Sequence, residues 1–512
     1  MLLSELVATS RAVTATPSRT AKVEQLAATL RRAAAEQPGR VDTVVTYLSG
    51  SLPQRRTGVS WRSLVGLPAP AEQATLTVAD VDAAAEQLAL ASGSGSAAAR
   101  TRLVQQLFSR ATADEQAWLR AVFVGEARQG AADGIMLQAI ATAAAVPDGA
   151  VRRAVMLAGR TGPVAVAALT GGTVALDAIG LEVGRPLRPM LAAAAPDVAT
   201  ALATLGREVA LEAKLDGIRL QAHLDDGAVG LFTRTLENVT NRLPEVVDLV
   251  RRLPVRRAVL DGEVIALGGD GRPLPFQVTG ARTASSADPE RMRAEVPLTV
   301  RFFDLLHVDG VDLVDRPLEE RWARLAAAAP AGQLVARVTT DDLAKAQGFF
   351  AEVVAAGHEG VVVKDLHRPY AAGRRSPGWV KVKPRHTLDL VVLAVEWGSG
   401  RRRGWLSNIH LGARDADTGG LVMLGKTFKG MTDEMLRWQT ARFRRLAVGD
   451  PDASRVVRLR PEQVVEVAFD GVQRSPRYPG GLALRFARVL RYRDDKPVDQ
   501  VDTIQSLRQL LS

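Results

Sequence analysis

The hydrophobic period of the chain changes once, near Arg185-Pro-Leu-Arg-Pro-Met190, and that change limits what the chain can fold into. Before it, about 180 residues rich in Ala, Leu and Arg carry apolar positions at helical spacing. In 21–37, Val23, Leu26, Leu30 and Ala34 fall on one face, and 114–130 repeats the pattern. Asp80 and Thr112 are predicted N-caps, and Glu115 follows Thr112 at capping-box spacing. The SGSGS run at 92–96 reads as a loop. After the change, β-like runs alternate with turn signals: EVALEAKLDG (208–217), RAVLDGEVIAL (257–267), LTVRFFDLLHVDG (298–310), EGVVVKD (359–365) and WVKVK (379–383). LEERWARLAAAA (318–329) and TDDLAKAQGFFAEVVAAG (340–357) read as helices between them. From Leu390 the runs are mostly β, as in a small barrel. The pattern predicts an all-α domain at 1–183, an α+β domain at 184–388 and a β-barrel at 389–512.

Charge narrows the partners. The chain of 512 residues holds 66 Lys+Arg against 56 Asp+Glu, a net charge of +10, which favours a polyanion such as nucleic acid or an acidic membrane surface. Residues 391–512 carry 21 basic and 14 acidic side chains, so +7 of that excess lies in under a quarter of the length. The absence of Cys excludes disulfides, Cys-ligated zinc and a Cys nucleophile, and the six His form no metal-binding spacing. There is no signal-like apolar segment at the start and no run of about 20 apolar residues, so a cytoplasmic chain without membrane partners is expected.

Lysine is scarce: nine of the 66 cations, at 22, 214, 345, 364, 381, 383, 426, 429 and 496. Arg stays protonated, whereas Lys can lose its proton and attack, or act as a compact charge on a phosphate. In EAKLDGIR (212–219), Lys214 ends an apolar run and Asp216-Gly217 supplies a turn, so its amine is expected to project from a strand end. As a nucleophile it would need a lowered pKa, and Arg219 and Lys383 are the cations expected to press on it. Alone, the octapeptide fits a surface lysine beside a β-turn equally well. Glu263 in DGEV and Glu359 in HEGVVVKD each suit a ribose hydroxyl or a hydrated divalent cation, or an ordinary strand end. Lys381 and Lys383 share a strand face, an arrangement that an α-phosphate would favour. Phe303, next to Asp304 in an apolar strand, fits the core better than a base-stacking platform when read alone. RRRGW (401–405) and RFRR (442–445) read as surface or backbone-phosphate contacts.

Five lysines (214, 364, 381, 383 and 496) nevertheless fall in a few short segments in chain order, which scattered lysines would not readily do. The ordered series EAKLDGIR, FTRTLENVT (232–240), LDGEV, RFFDLL (301–306), EGVVVKD, WVKVK and RYRDDK (491–496) resembles the motif series of covalent nucleotidyltransferases. Within them it resembles the bacterial, actinobacterial-like ATP-dependent DNA ligases, over essentially the whole chain. GEARQGAADGIMLQAIA (125–141) is similar to the signature of their helical DNA-binding domain, and RPLRPMLA (185–192) to the entry into their adenylation domain. SGRRRGWLSNIHLGARD (399–415) and 469–496 are similar to their OB-fold. Leu215, where an aromatic often stands, is a small departure.

The resemblance implies that Lys214 forms a phosphoramidate with AMP and that Glu212 lies beside the adenine, its backbone reading the base edge. It implies that Phe303 stacks on the adenine, that Glu263 binds the ribose, and that Arg219 and Arg234 contact sugar or phosphate groups. Glu359, with Glu263 as the second candidate, would hold Mg²⁺, and Lys381 and Lys383 would bracket the α-phosphate. Arg375, with Arg374 adjacent, matches a nucleotide-contacting Arg, while Arg493, Asp495 and Lys496 would orient the pyrophosphate. ATP and Mg²⁺ are the implied cofactors. Nicked double-stranded DNA is the implied partner of a nucleoid-associated monomer that turns about a hinge at Lys383–Asp389. No motif identifies a sliding clamp or repair protein. RNA ligases and capping guanylyltransferases share the lysine chemistry, and a degenerate, non-catalytic DNA-binding protein is the alternative outside enzymes. NAD⁺ as AMP donor is disfavoured, because NAD-dependent ligases carry a Cys-built zinc module.

Overall fold

The computed structural model describes every residue except 55, 128–132, 286, 373–374, 385 and 511–512, together with the side chains of 375–377. The chain divides into two compact units, each assembled from three segments. The first comprises Met1–Ala193, Gly217–Ala336 and Lys364–Val380, and the second comprises Ala194–Asp216, Arg337–Val363 and Lys381–Ser512.

The first unit opens with helices running from Leu3–Ala15 to Thr161–Asp177. Their apolar stripes close on one core in which Val23, Leu26, Leu30, Leu119 and Ile140 are buried. Thr112 caps the Ala113–Phe123 helix in a reciprocal box with Glu115, as its spacing predicts. The neighbouring cap corrects the sequence reading. Thr77 is the N-cap of Val78–Leu90 and Asp80 is the third-position partner, because the Asp80 carboxylate accepts from the Thr77 N–H at 2.9 Å. The helix expected over 114–130 stops at Phe123, where Gly125 turns the chain at φ +72°. No single helix among the described residues is long and apolar enough to cross a membrane.

The rest of the first unit is built on a five-stranded antiparallel sheet in the order Ala228–Thr233, Ile218–Asp225, Arg257–Ala266, Leu298–Val308, Val311–Asp312. Leu220, Leu260, Val264 and Phe302 fill its inner face. The pairing of Arg257–Ala266 with Leu298–Val308 slips between Asp261 and Gly262. Such a bulge re-aims side chains.

In the second unit Val209–Ala213 pairs antiparallel with Arg337–Thr340. The C-terminal part is an OB-like antiparallel sheet in the order Leu421–Thr427, Leu406–Arg414, His386–Trp397, Val464–Phe469, Arg488–Arg493. The helix Asp433–Leu446, capped by Thr432, packs Leu436 and Phe443 into the core that this sheet shares. Arg444 and Arg445 on the same helix remain exposed, as expected for that charge run.

Candidate active site

Lys214 follows the last residue of Val209–Ala213, a strand in which all five residues are buried. The strand end is fixed by the 359–360 segment: the Lys214 N–H donates to Gly360 O at 2.8 Å, and Lys214 O accepts from the Glu359 N–H at 2.9 Å. The amine therefore projects from a braced strand end, and the Lys214 Nζ donates to Glu359 Oε2. The other carboxylate oxygen, Oε1, accepts from Lys383 Nζ at 2.9 Å, and Lys383 also reaches Asp470 Oδ2 at 3.2 Å. Beside them Arg485 Nη1 donates to Asp216 Oδ2 at 2.9 Å. Three cations and three carboxylates thus share one partly buried cluster.

Burial would raise Glu359, but the two ammonium groups more than offset it and hold the carboxyl at about 2. Burial would also lower Lys383, yet Glu359 and Asp470 carry it above its ordinary range. Asp216 moves upward, chiefly by burial, against the pull of Arg485. Glu212, one strand position from Ala213, is buried with its carboxylate on Arg337 at 3.2 Å. Lys381 is half-buried on Arg375–Val382, and its carbonyl accepts from the Ala195 N–H at 3.1 Å.

The first unit holds a second group of expected site residues. Phe303 is half-buried, whereas its neighbour Phe302 is wholly buried, so Phe302 is the core residue of the pair. The Phe303 ring meets Trp379 edge-on, with centroids 6.0 Å apart at 83°. Buried Lys364 stands 4.7 Å from the Phe303 centroid and 4.1 Å from that of Trp379, and Arg219 lies 5.4 Å from Phe303. Arg219 pairs with both oxygens of buried Asp261, at 3.0 and 2.6 Å. Across the sheet, Glu263 is in register with Arg219 on one side and Arg301 on the other. Arg234 is exposed just beyond Ala228–Thr233.

The structure alters several sequence expectations. Arg219 and Lys383 were expected to press as like charges on the Lys214 amine, but both are matched by carboxylates, Asp261 and Glu359. Arg493 and Lys496 are held by Asp389, at 3.1 and 2.7 Å, and Arg493 also pairs with Asp495 at 2.8 Å. Arg374 and the Arg375 side chain lie outside the described residues, as do 128–132 of the helical signature. Sequence reasoning missed Asp470, Arg485, Asp261 and Tyr370. Asp261 stands in the LDGEV motif, one residue before Gly262, and Asp470 and Arg485 lie in the 469–496 segment without a role assigned there, whereas Tyr370 lies in none of the motifs.

Family models match along the chain: "DNA ligase N terminus" at 56–141, "ATP dependent DNA ligase domain" at 189–383 and "ATP dependent DNA ligase C terminal region" at 402–496. The chain is 58% identical over 514 residues to a curated "Probable DNA ligase" of Nocardioides sp. (strain ATCC BAA-499 / JS614), covering 100% of this chain and 99% of that protein. It is also 58% identical to the "Probable DNA ligase" of Kineococcus radiotolerans, with 100% of both chains covered. A solved structure named "Pmar-Lig_Pre." shares the fold with a TM-score of 0.65 at 18% identity, over 96% of this chain and 99% of that one. With its lysine at a braced strand end and full-length identity well above half, this chain belongs to the ATP-dependent DNA ligases.

Proposed function

We propose that the protein seals nicks in duplex DNA by three phosphoryl transfers, with Lys214 as the nucleophile. The observation that carries this reading is the amine of Lys214 at a strand end, on a carboxylate whose second oxygen is held by Lys383. Lys214 Nζ, once deprotonated and released from Glu359, attacks the α-phosphate of ATP. An N–P bond forms, a P–O bond breaks and pyrophosphate leaves. AMP then passes from the lysine to the 5′-phosphate at the nick, and the 3′-hydroxyl attacks that phosphate and expels AMP.

In this reading Lys381 and Lys383 bracket the α-phosphate, Phe303 stacks on the adenine, and Glu212 lies at the base edge. Glu263 binds the ribose, and Arg219, Arg234 and Arg375 contact sugar or phosphate. Arg493 and Lys496, once released from Asp389, orient the pyrophosphate. Each step moves negative charge over phosphate oxygens, so fixed cations contribute mainly by electrostatic stabilisation and positioning. Glu359, with Glu263 as the second candidate, would hold Mg²⁺. The donor set fits only in part: Glu359 is an ionised carboxylate, but Lys214 and Lys383 occupy its two oxygens, so an ion there would have to displace a lysine. When bound, the ion supplies charge neutralisation at the phosphates.

The functional division we propose is a DNA-binding domain at 1–183, an adenylation domain at 184–388 and an OB-fold domain at 389–512. The net charge of +10 supports sequence-independent phosphate contacts, and the reading is completed by a monomer acting on nucleoid DNA in the cytoplasm. The test is incubation with ATP labelled in the α-phosphate and Mg²⁺, followed by a denaturing gel. The expected result is a labelled full-length band that Lys214→Ala abolishes and nicked DNA chases. A chase by nicked RNA alone would move the assignment to an RNA ligase. A protein that takes no label, even after bound AMP is stripped, and still binds DNA would be non-catalytic.

A further inference from the structure

We infer that Tyr370 is a positioning residue for Arg219: its hydroxyl, with the Asp261 carboxylate, fixes the guanidinium so that one N–H of Nη1 is left to donate to a ligand. The inference rests on the assignment of Arg219 to the nucleotide or the nick.

A guanidinium has five N–H donors in a rigid plane. In Arg219, Nε donates to Asp261 Oδ1 at 3.0 Å, and Nη2 donates to Asp261 Oδ2 at 2.6 Å and to the Tyr370 oxygen at 3.2 Å. Nη1 donates to Met190 O at 2.6 Å. Four donors are thereby used among the described residues, and the remaining one is on Nη1. Arg219 is therefore a single-donor contact and not the two-pronged fork that a free arginine offers a phosphate.

Tyr370 completes this arrangement through three bonds. Its hydroxyl donates to Asp261 Oδ2 at 2.7 Å and accepts from Arg219 and, at 3.0 Å, from the Met190 N–H. One donor and two lone pairs are the full capacity of a phenol, and all three are used. Burial, followed by the charge of Asp261, pushes the hydroxyl well above its ordinary range, so it remains a donor. The ring is held independently, edge-on to Trp379 at 5.9 Å and 87° and beneath Arg321 at 5.9 Å. Phenylalanine at this position keeps both ring contacts and removes only the hydroxyl.

The test uses the full-length protein with Tyr370→Phe, Arg219→Lys and the double variant. Single-turnover rates are measured separately for lysine adenylylation and for sealing of a pre-adenylylated nick, and a melting curve is taken for each protein. We expect Y370F to slow the same step that R219K slows, by roughly ten-fold, the equivalent of one hydrogen bond to a charged group. In the R219K background, Y370F should then cost no more than about two-fold, because the two residues act as one unit. An equal loss in both backgrounds, a loss in a different step, or no loss would overturn the inference and leave Tyr370 a structural residue. If Y370F shows no melting transition, Asp261→Asn is judged by the same criterion. A wild-type protein that takes no AMP label would instead count against the ligase reading.

Discussion

Glu359 holds a lysine on each of its two carboxylate oxygens: Lys383 Nζ is 2.9 Å from Oε1, and the Lys214 amine is on Oε2. Neither lysine can change partners without altering the charge seen by the other. Glu359→Gln should therefore lower the rate of lysine adenylylation by roughly 10²-fold, the scale for removing one fixed electrostatic group from a reacting centre. The measurement is label transfer from ATP in a single turnover. An unchanged rate would remove Glu359 from the site.

Acid should destabilise the second unit through two depressed carboxyls. Glu359 is at about 2, as is Glu396, which burial would raise but which Lys426, His410 and Asn408 more than offset. A carboxyl lowered on folding contributes stability above its unfolded pKa of roughly 4.3, and that contribution is lost as pH falls through the folded value. Melting temperature should drop between about pH 4.5 and about pH 2. Glu396→Gln should flatten that slope while adenylylation continues. A slope identical to wild type would show that the Glu396 cluster contributes nothing.

The two adjacent phenylalanines should separate stability from nucleotide affinity. Phe302 is fully buried, so Phe302→Ala should cost about 3–5 kcal/mol of stability. Phe303→Leu keeps an apolar side chain but loses the stacking face, so it should raise KM for ATP several-fold with little change in melting temperature. Matching losses in both properties for both variants would place Phe303 in the core.

Asp389→Asn removes the charge that holds Lys496 at 2.7 Å and Arg493 at 3.1 Å. If 383–389 is a hinge that the final motif must leave, adenylylation and sealing should change by different factors in this variant. Equal factors in the two isolated steps would refute the hinge.

What was legible in the sequence was local and periodic. The strand before Lys214, the helix at 318–329 and the Thr112 cap each depend on residues within one turn or one strand and form as the pattern predicts. The helix read over 340–357 forms at Leu343–Ala355, because Thr340 ends the strand Arg337–Thr340 and Asp342 caps the helix. Phe303 was harder. Beside Phe302 in one apolar run it reads as core, and only the alternation of the formed strand, with its bulge opposite Asp261, leaves it half-buried. Asp80 was misplaced because both Thr77 and Asp80 are good caps and only the fold shows which one starts the helix. The Asp261–Tyr370 bond joins residues 109 apart, and the Arg485–Asp216 bond residues 269 apart. No spacing rule connects such pairs, so these parts of the site emerge only once the strands have formed.

The chain passes between its two compact units five times, at 193/194, 216/217, 336/337, 363/364 and 380/381. Lys214 and Arg219, members of one octapeptide, consequently belong to different units. No uninterrupted stretch of the gene encodes either unit, so truncation at a single point leaves at least one of them incomplete. A cut anywhere between Gly217 and Val363 is then expected to divide both units between its two pieces, so activity after such a cut requires the pieces to reassociate, as split proteins do.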